Sequence, residues 1–132
     1  MPAMKHHVLL TIASVLSILF LTFHLADDIV RGFEKGGLSN LALIPIVVGW
    51  LYAALILAER RSGYAINLLF SLLALGVPVI HMSGRGVGAG SRIANSNGAF
   101  FFVWTLLALS LTALFSVILS AHGLWKQRAR SR

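Results

Sequence analysis

An all-α integral membrane protein, built as an up-and-down bundle of four transmembrane helices, is what this sequence predicts. Of its 132 residues 58% are apolar and only 11% are charged. Four uncharged runs, Val8 to Ala26, Leu38 to Ala58, Ser62 to Gly84 and Ile93 to Trp125, each reach the roughly 20 residues that span about 30 Å of hydrocarbon. Lys and Arg gather in the gaps and tails between these runs. A soluble domain of this length would carry roughly twice the charge and could not bury so much Leu, Val, Ile and Phe in one small core.

The first run follows Lys5, His6 and His7, as a secretory signal would. It is too long for one, and His24 stands where a small residue should precede a cleavage point, so it reads as a retained helix. Asp27 to Arg31 continue the helical pattern until Gly32 supplies a break, which places helix 1 at about 8–31 and extends it a turn past its apolar stretch. Helix 2, about 38–58, carries Pro45 near its start, where a missing amide donor is tolerated. The short turn Glu59-Arg60-Arg61 leads to helix 3, about 63–82, with Pro78 near its end. The segment from Ser83 to Arg92 is rich in glycine and reads as a flexible loop. A phosphate-cradling role for it lacks both a preceding strand and a Gly-Lys-Ser/Thr ending. Helix 4, about 99–124, ends in a basic tail, 125–132, and the whole chain forms a single transmembrane domain.

Lys5, Arg60, Arg61, Lys126, Arg128, Arg130 and Arg132 fall on one side of such a bundle, against Arg31, Lys35, Arg85 and Arg92 on the other. The positive-inside bias then puts both termini in the cytoplasm, in a plasma or inner membrane. Phe100, Phe101, Phe102 and Trp104 would mark the outer interface and Trp125 the inner one. The net charge of +7 does not indicate nucleic acid, because the basic residues are topology signals. Those of the tail suit anionic lipid headgroups, at about 1 kcal/mol each. With no cysteine, the chain has no thiol redox chemistry, thiolate metal site or disulfide, which sets aside the quinone-linked disulfide-forming enzymes.

Helices in lipid attract one another through close packing at small residues. Ala108, Thr112, Ser116 and Ser120 recur every fourth residue on helix 4, Gly49 and Ala53 lie on helix 2, Ser14 and Ser17 on helix 1, and Ser71 and Ala74 on helix 3. Asn67, inside an apolar run, is expected to make an interhelical hydrogen bond.

The residues with chemical potential are His24, Asp27 and Asp28 on helix 1 and His81 on helix 3. The topology sets both histidines at the outer ends of parallel helices, with Arg85 and Arg92 in the loop above. His24, Asp28 and His81 are the candidate catalytic residues, and Asp27 joins them as a candidate metal ligand. Two imidazoles and two carboxylates suit a divalent metal such as zinc or iron, a pair of axial haem ligands, or a proton relay. The plain alternative is a set of interfacial hydrogen bonds, with both aspartates paired to Arg31 and His81 finishing its helix.

The size matches the small multidrug exporters, but their carboxylate deep in the first helix has no counterpart between Ala13 and Phe20. Dihaem cytochromes of the b type need four histidines at two depths, and here two lie at one depth. The reading favoured by sequence is a non-catalytic accessory or assembly subunit that binds partner membrane subunits or further copies of itself. A metal or haem enzyme comes second and a small oligomeric transporter or channel third. No charge lies at mid-bilayer, which argues against an ion-coupled pump.

Overall fold

The computed structural model describes residues 5–82, 93 and 96–130, and among these every regular element is helical. Helix α1 covers His6–Val30; a 3-10 turn at Leu38–Ala42 runs into α2, Leu43–Leu55; α3 covers Arg61–Met82 and α4 covers Ala99–Arg130. With the 3-10 turn counted into the second, all four helices are long and apolar enough to cross a membrane.

Helix α1 stops where Gly32 takes a φ of +74°. The amide of Phe33 reaches back to the Asp28 carbonyl at 2.8 Å and that of Gly32 to the Ile29 carbonyl at 3.0 Å. This Schellman closure favours glycine in the left-handed position, and it pins the backbone of Asp28 at the helix end. Helix α2 departs from expectation by ending at Leu55 rather than Ala58. The chain must turn tightly there, and the Leu57 carbonyl comes to rest where a side chain on residue 63 would stand, so only glycine fits. Helix α4 continues through Arg130, so the basic residues from Lys126 onward extend the helix and form no separate tail before that point.

Side-chain bonds fix the directions of the helices. His6 Nε2 donates to the Leu119 carbonyl at 2.9 Å, and Thr11 donates to the Ala54 carbonyl at 2.8 Å. The starts of α1 and α3 therefore share one end with the finishes of α2 and α4, and the chain runs up and down. Helix α4 lies along both α1 and α3, and α2 also packs on both, which sets α1 and α3 on a diagonal. Their inward side chains meet across the centre.

That centre is apolar at mid-height, where Ile18, Trp50, Ala74, Leu109 and Ala113 pack together. Toward the end with the termini, Ser14 and Ser71 both bond the hydroxyl of Ser116, at 2.9 and 2.7 Å. Asn67 accepts from the Trp50 indole at 3.1 Å and donates to the Gly63 carbonyl at 2.9 Å. It thus links α3 to α2 as its burial requires. The small residues also serve packing: Gly49 faces Phe70, while Ala53, Ala108, Ser116 and Ser120 are buried. Thr112 is only half-buried and bonds the Ala108 carbonyl of its own helix. A row at every fourth residue drifts around a helix of 3.6 residues per turn, so the core face follows Phe102, Thr105, Leu109, Ala113, Ser116 and Ser120 instead.

Large apolar side chains face outward as well as inward, while several polar ones are enclosed. Leu9, Ile12, Leu16, Leu19 and Phe23 of α1 are exposed, and so are Leu111, Phe115 and Ile118 of α4, whereas Ser14, Ser17, His24, Asp28, Asn67 and Ser71 are buried.

Candidate metal centre

At the end of the bundle away from the termini, three helices bring together titratable and polar side chains. Helix α1 supplies His24 and, one turn later, Asp28; α3 supplies His81; α4 supplies Thr105 and Phe102. His24 is 1% exposed and Asp28 8%. The imidazoles meet edge to face with ring centroids 4.8 Å apart. Asp28 Oδ2 lies 3.1 Å from His81 Nε2 and 3.7 Å from His24 Nε2. One ligand atom from each of the three residues falls within 4.8 Å of the others, a span that a single ion can bridge with bonds of about 2.0–2.2 Å after small side-chain adjustments.

The hydrogen bonds around these residues assign the ring protons. Thr105 donates its hydroxyl proton to the Phe102 carbonyl at 3.0 Å, so its oxygen is left to accept from His24 Nδ1 at 3.0 Å. In the neutral ring, His24 Nε2 then carries a bare lone pair, and among the described residues it has no hydrogen-bond partner. His81 Nδ1 lies 2.8 Å from the Val77 carbonyl, which can only accept, so this nitrogen also holds the proton. The bare Nε2 of a neutral His81 would face a carboxylate oxygen at 3.1 Å, lone pair against lone pair. A positive particle belongs between them, either a proton or a metal ion. Asp28 Oδ1 likewise has no hydrogen-bond partner among the described residues. Buried polar atoms normally find one.

Around this cluster the walls are mostly apolar. Phe102 is fully buried against His24, His81 and Phe33, and Ile93, Leu106 and Val77 pack beside it. The expectation that Phe102 faces the outer interface is corrected, because it lies one turn before Thr105 and Leu106 on the core face of α4. Phe100, Phe101 and Trp104 do point outward. Asp27 also departs from its expected role as a ligand. Its carboxylate is held by Arg31 at 2.7 Å, and Arg31 continues to Ser96 Oγ and the Gly98 carbonyl, each at 2.8 Å, with its guanidinium over the Phe102 ring. Asp27 thus ties the end of α1 to the start of α4, while Asp28 alone enters the cluster. Arg85 and Arg92 lie outside the described residues. A haem has no room between two imidazoles in direct edge-to-face contact.

Thr105 and the Val77 carbonyl escaped the sequence reading. A threonine in an apolar helix ordinarily bonds a carbonyl of its own helix, as Thr22 and Thr112 do here, and nothing in sequence distinguishes the one that also accepts from a histidine. Beneath the cluster, the layer of Ile18, Ala74, Leu109 and Ala113 separates it from the Ser14, Ser71 and Ser116 hydroxyls. Among the described residues no chain of hydrogen bonds joins the two. Comparison of the chain with family models, with curated proteins and with solved structures returns no match.

Proposed function

We propose that this chain is an integral membrane metalloprotein that holds one divalent transition-metal ion through His24, Asp28 and His81. It crosses the bilayer four times, with both termini in the cytoplasm and the ion near the outer face. The membrane assignment rests on four apolar helices with exposed Leu, Ile and Phe and an interior that keeps the polar side chains. Orientation rests on the seven-to-four distribution of Lys and Arg between the two ends.

The observation that carries the metal reading is the convergence of unshared lone pairs. His24 Nε2 and Asp28 Oδ1 are buried without partners among the described residues, and His81 Nε2 faces the same carboxylate. Each imidazole meanwhile donates from Nδ1 to a protein oxygen, the second layer that metal-bound histidines usually show. Two histidines and one carboxylate favour zinc or iron(II) over magnesium or calcium, which prefer all-oxygen sites. Three protein ligands leave coordination positions for water or a substrate, as catalytic and redox centres require. The accessory-subunit reading draws on small-residue faces and basic residues, yet Ala53, Ala108, Ser116 and Ser120 are used inside the bundle, and an apolar layer across the bundle opposes conduction.

The test is metal analysis of the full chain purified in detergent and reloaded separately with zinc and iron(II). About one equivalent per chain is expected, falling several-fold in His24→Ala, Asp28→Asn and His81→Ala while helicity by circular dichroism is kept. No stoichiometric metal under either reloading, or full retention in all three variants, would sink the proposal.

A further inference from the structure

Below the cluster of His24, Asp28 and His81 lies the apolar layer, and the flanks of the helices carry exposed Leu, Ile and Phe. Both surroundings are costly for a charged ion. A water-borne cation therefore approaches from the end of the bundle away from the termini. There Phe102 stands one turn further out on α4 than Thr105 and packs on both imidazoles, its ring centroid 4.8 Å from that of His24 and 5.9 Å from that of His81. Ile93 packs beside it and is itself buried. Under this cover the side chains of His24, Asp28 and His81 are nearly sealed.

Arg31 holds the cover in place. Its Nε donates to Asp27 Oδ2 at 2.7 Å, its Nη1 to Ser96 Oγ at 2.8 Å and its Nη2 to the Gly98 carbonyl at 2.8 Å, and its guanidinium carbon lies 5.7 Å from the centre of the Phe102 ring. Ser96 passes the hold on, because its hydroxyl proton goes to the Ile93 carbonyl at 2.9 Å and its oxygen is left to accept from Arg31. The Gly98 carbonyl also accepts from the amides of Phe101 and Phe102, at 3.0 and 3.3 Å. One guanidinium on α1 thus grips both the residue bonded to Ile93 and the first turn of α4, which carries Phe102. A planar fork with donors in fixed directions can reach three such acceptors at once. Asp27 balances its charge, so the pair adds little net repulsion toward a cation.

We propose that Asp27, Arg31 and Ser96 form a latch that sets how fast a divalent cation enters and leaves the cluster, without coordinating it. The latch rests on the ion site proposed above. Passage requires the Arg31 bonds to break so that Phe102 and Ile93 can move aside. The same bonds close again over the filled and the empty cluster, so the latch governs both rates alike and leaves the equilibrium nearly unchanged.

The experiment uses the full chain in mild detergent and follows zinc, taken up from a fluorescent indicator and released to excess chelator, by stopped flow. Asp27→Asn with Arg31→Met removes the latch as a neutral pair, so the net charge near the ion stays the same. Uptake and release should each accelerate about tenfold or more, with the dissociation constant within about twofold of that of the unaltered chain. Ser96→Ala, a milder change that keeps the test open if the double variant does not fold, should accelerate both by about two- to fivefold. Unchanged rates overturn the proposal. Faster release with unchanged uptake also overturns it, since these residues would then stabilise the bound ion and not guard its passage.

A second measurement needs no metal. His24→Cys places one thiol in a chain that otherwise has none, beneath the cover, where a small water-soluble methanethiosulfonate should modify it about tenfold faster once Asp27→Asn and Arg31→Met are added. Equal modification rates overturn the latch. Failure of the unaltered chain to bind zinc would defeat the ion site, while thiol modification would still decide whether the latch guards the cluster. Circular dichroism of each variant reports whether it is folded.

Discussion

Thr105 orients His24, because its oxygen takes the Nδ1 proton and leaves Nε2 to act as the proposed ligand atom. Thr105→Val, nearly the same shape without the hydroxyl, should therefore weaken metal binding about 10- to 100-fold, while Thr105→Ser should retain most of it. Competition against a chelator of known affinity reads the difference. Asp27→Asn should leave metal stoichiometry near that of the unaltered chain, since Asp27 answers to Arg31. Asp28→Asn, which alters one of the three proposed ligands, should lower it several-fold. Affinity should also fall on acidification and recover on return to neutral pH, because protons compete for all three ligand atoms. His24, Asp28 and His81 were legible in sequence because ionisable groups stand out within or beside apolar runs. Asp27 and Asp28 were not separable, as both lie a turn from His24. The distinction comes from Arg31, which sits at i+4 from Asp27 and meets it there. Phe102 was hidden among three consecutive phenylalanines of which only one turns inward.

Among the elements, the turn between α2 and α3 has the least freedom. A methyl group on residue 63 would run into the Leu57 carbonyl, which belongs to backbone and cannot swing aside, whereas one on Gly76 meets nothing within 4 Å. Gly63→Ala should destabilise the bundle by about 1–3 kcal/mol, and Gly76→Ala should be neutral or stabilising by up to about 1 kcal/mol. Unfolding of both variants in mixed micelles of increasing SDS fraction separates these outcomes. Asn67→Leu, which removes the bond to Trp50, should cost about 1 kcal/mol in the same assay. Helix positions and the Gly32 stop could be read from sequence because apolar run length and a glycine break are local properties. The early end of α2 could not, since it depends on a glycine eight residues further on.

For the molecule as a whole, the absence of cysteine makes topology directly measurable. In Ser39→Cys a membrane-impermeant maleimide applied to intact cells should label the thiol, and in Ser62→Cys it should label only after the membrane is opened. The reverse pattern would invert the orientation. The span count followed from composition, but the diagonal placement of α1 and α3 needed three dimensions, and His24, Asp28 and His81 come together only because inward side chains meet across that diagonal. The apolar layer of Ile18, Ala74, Leu109 and Ala113 has a further consequence in electrical terms. In the proposed orientation, most of the membrane potential falls across this layer and the helices below it, on the cytoplasmic side of the ion. Moving a unit charge through the full field amounts to about 2.3 kcal/mol per 100 mV, and an ion entering from outside would traverse only a small part of that. Metal loading should thus be nearly independent of voltage, and the centre should follow the acidity and redox state of the external compartment.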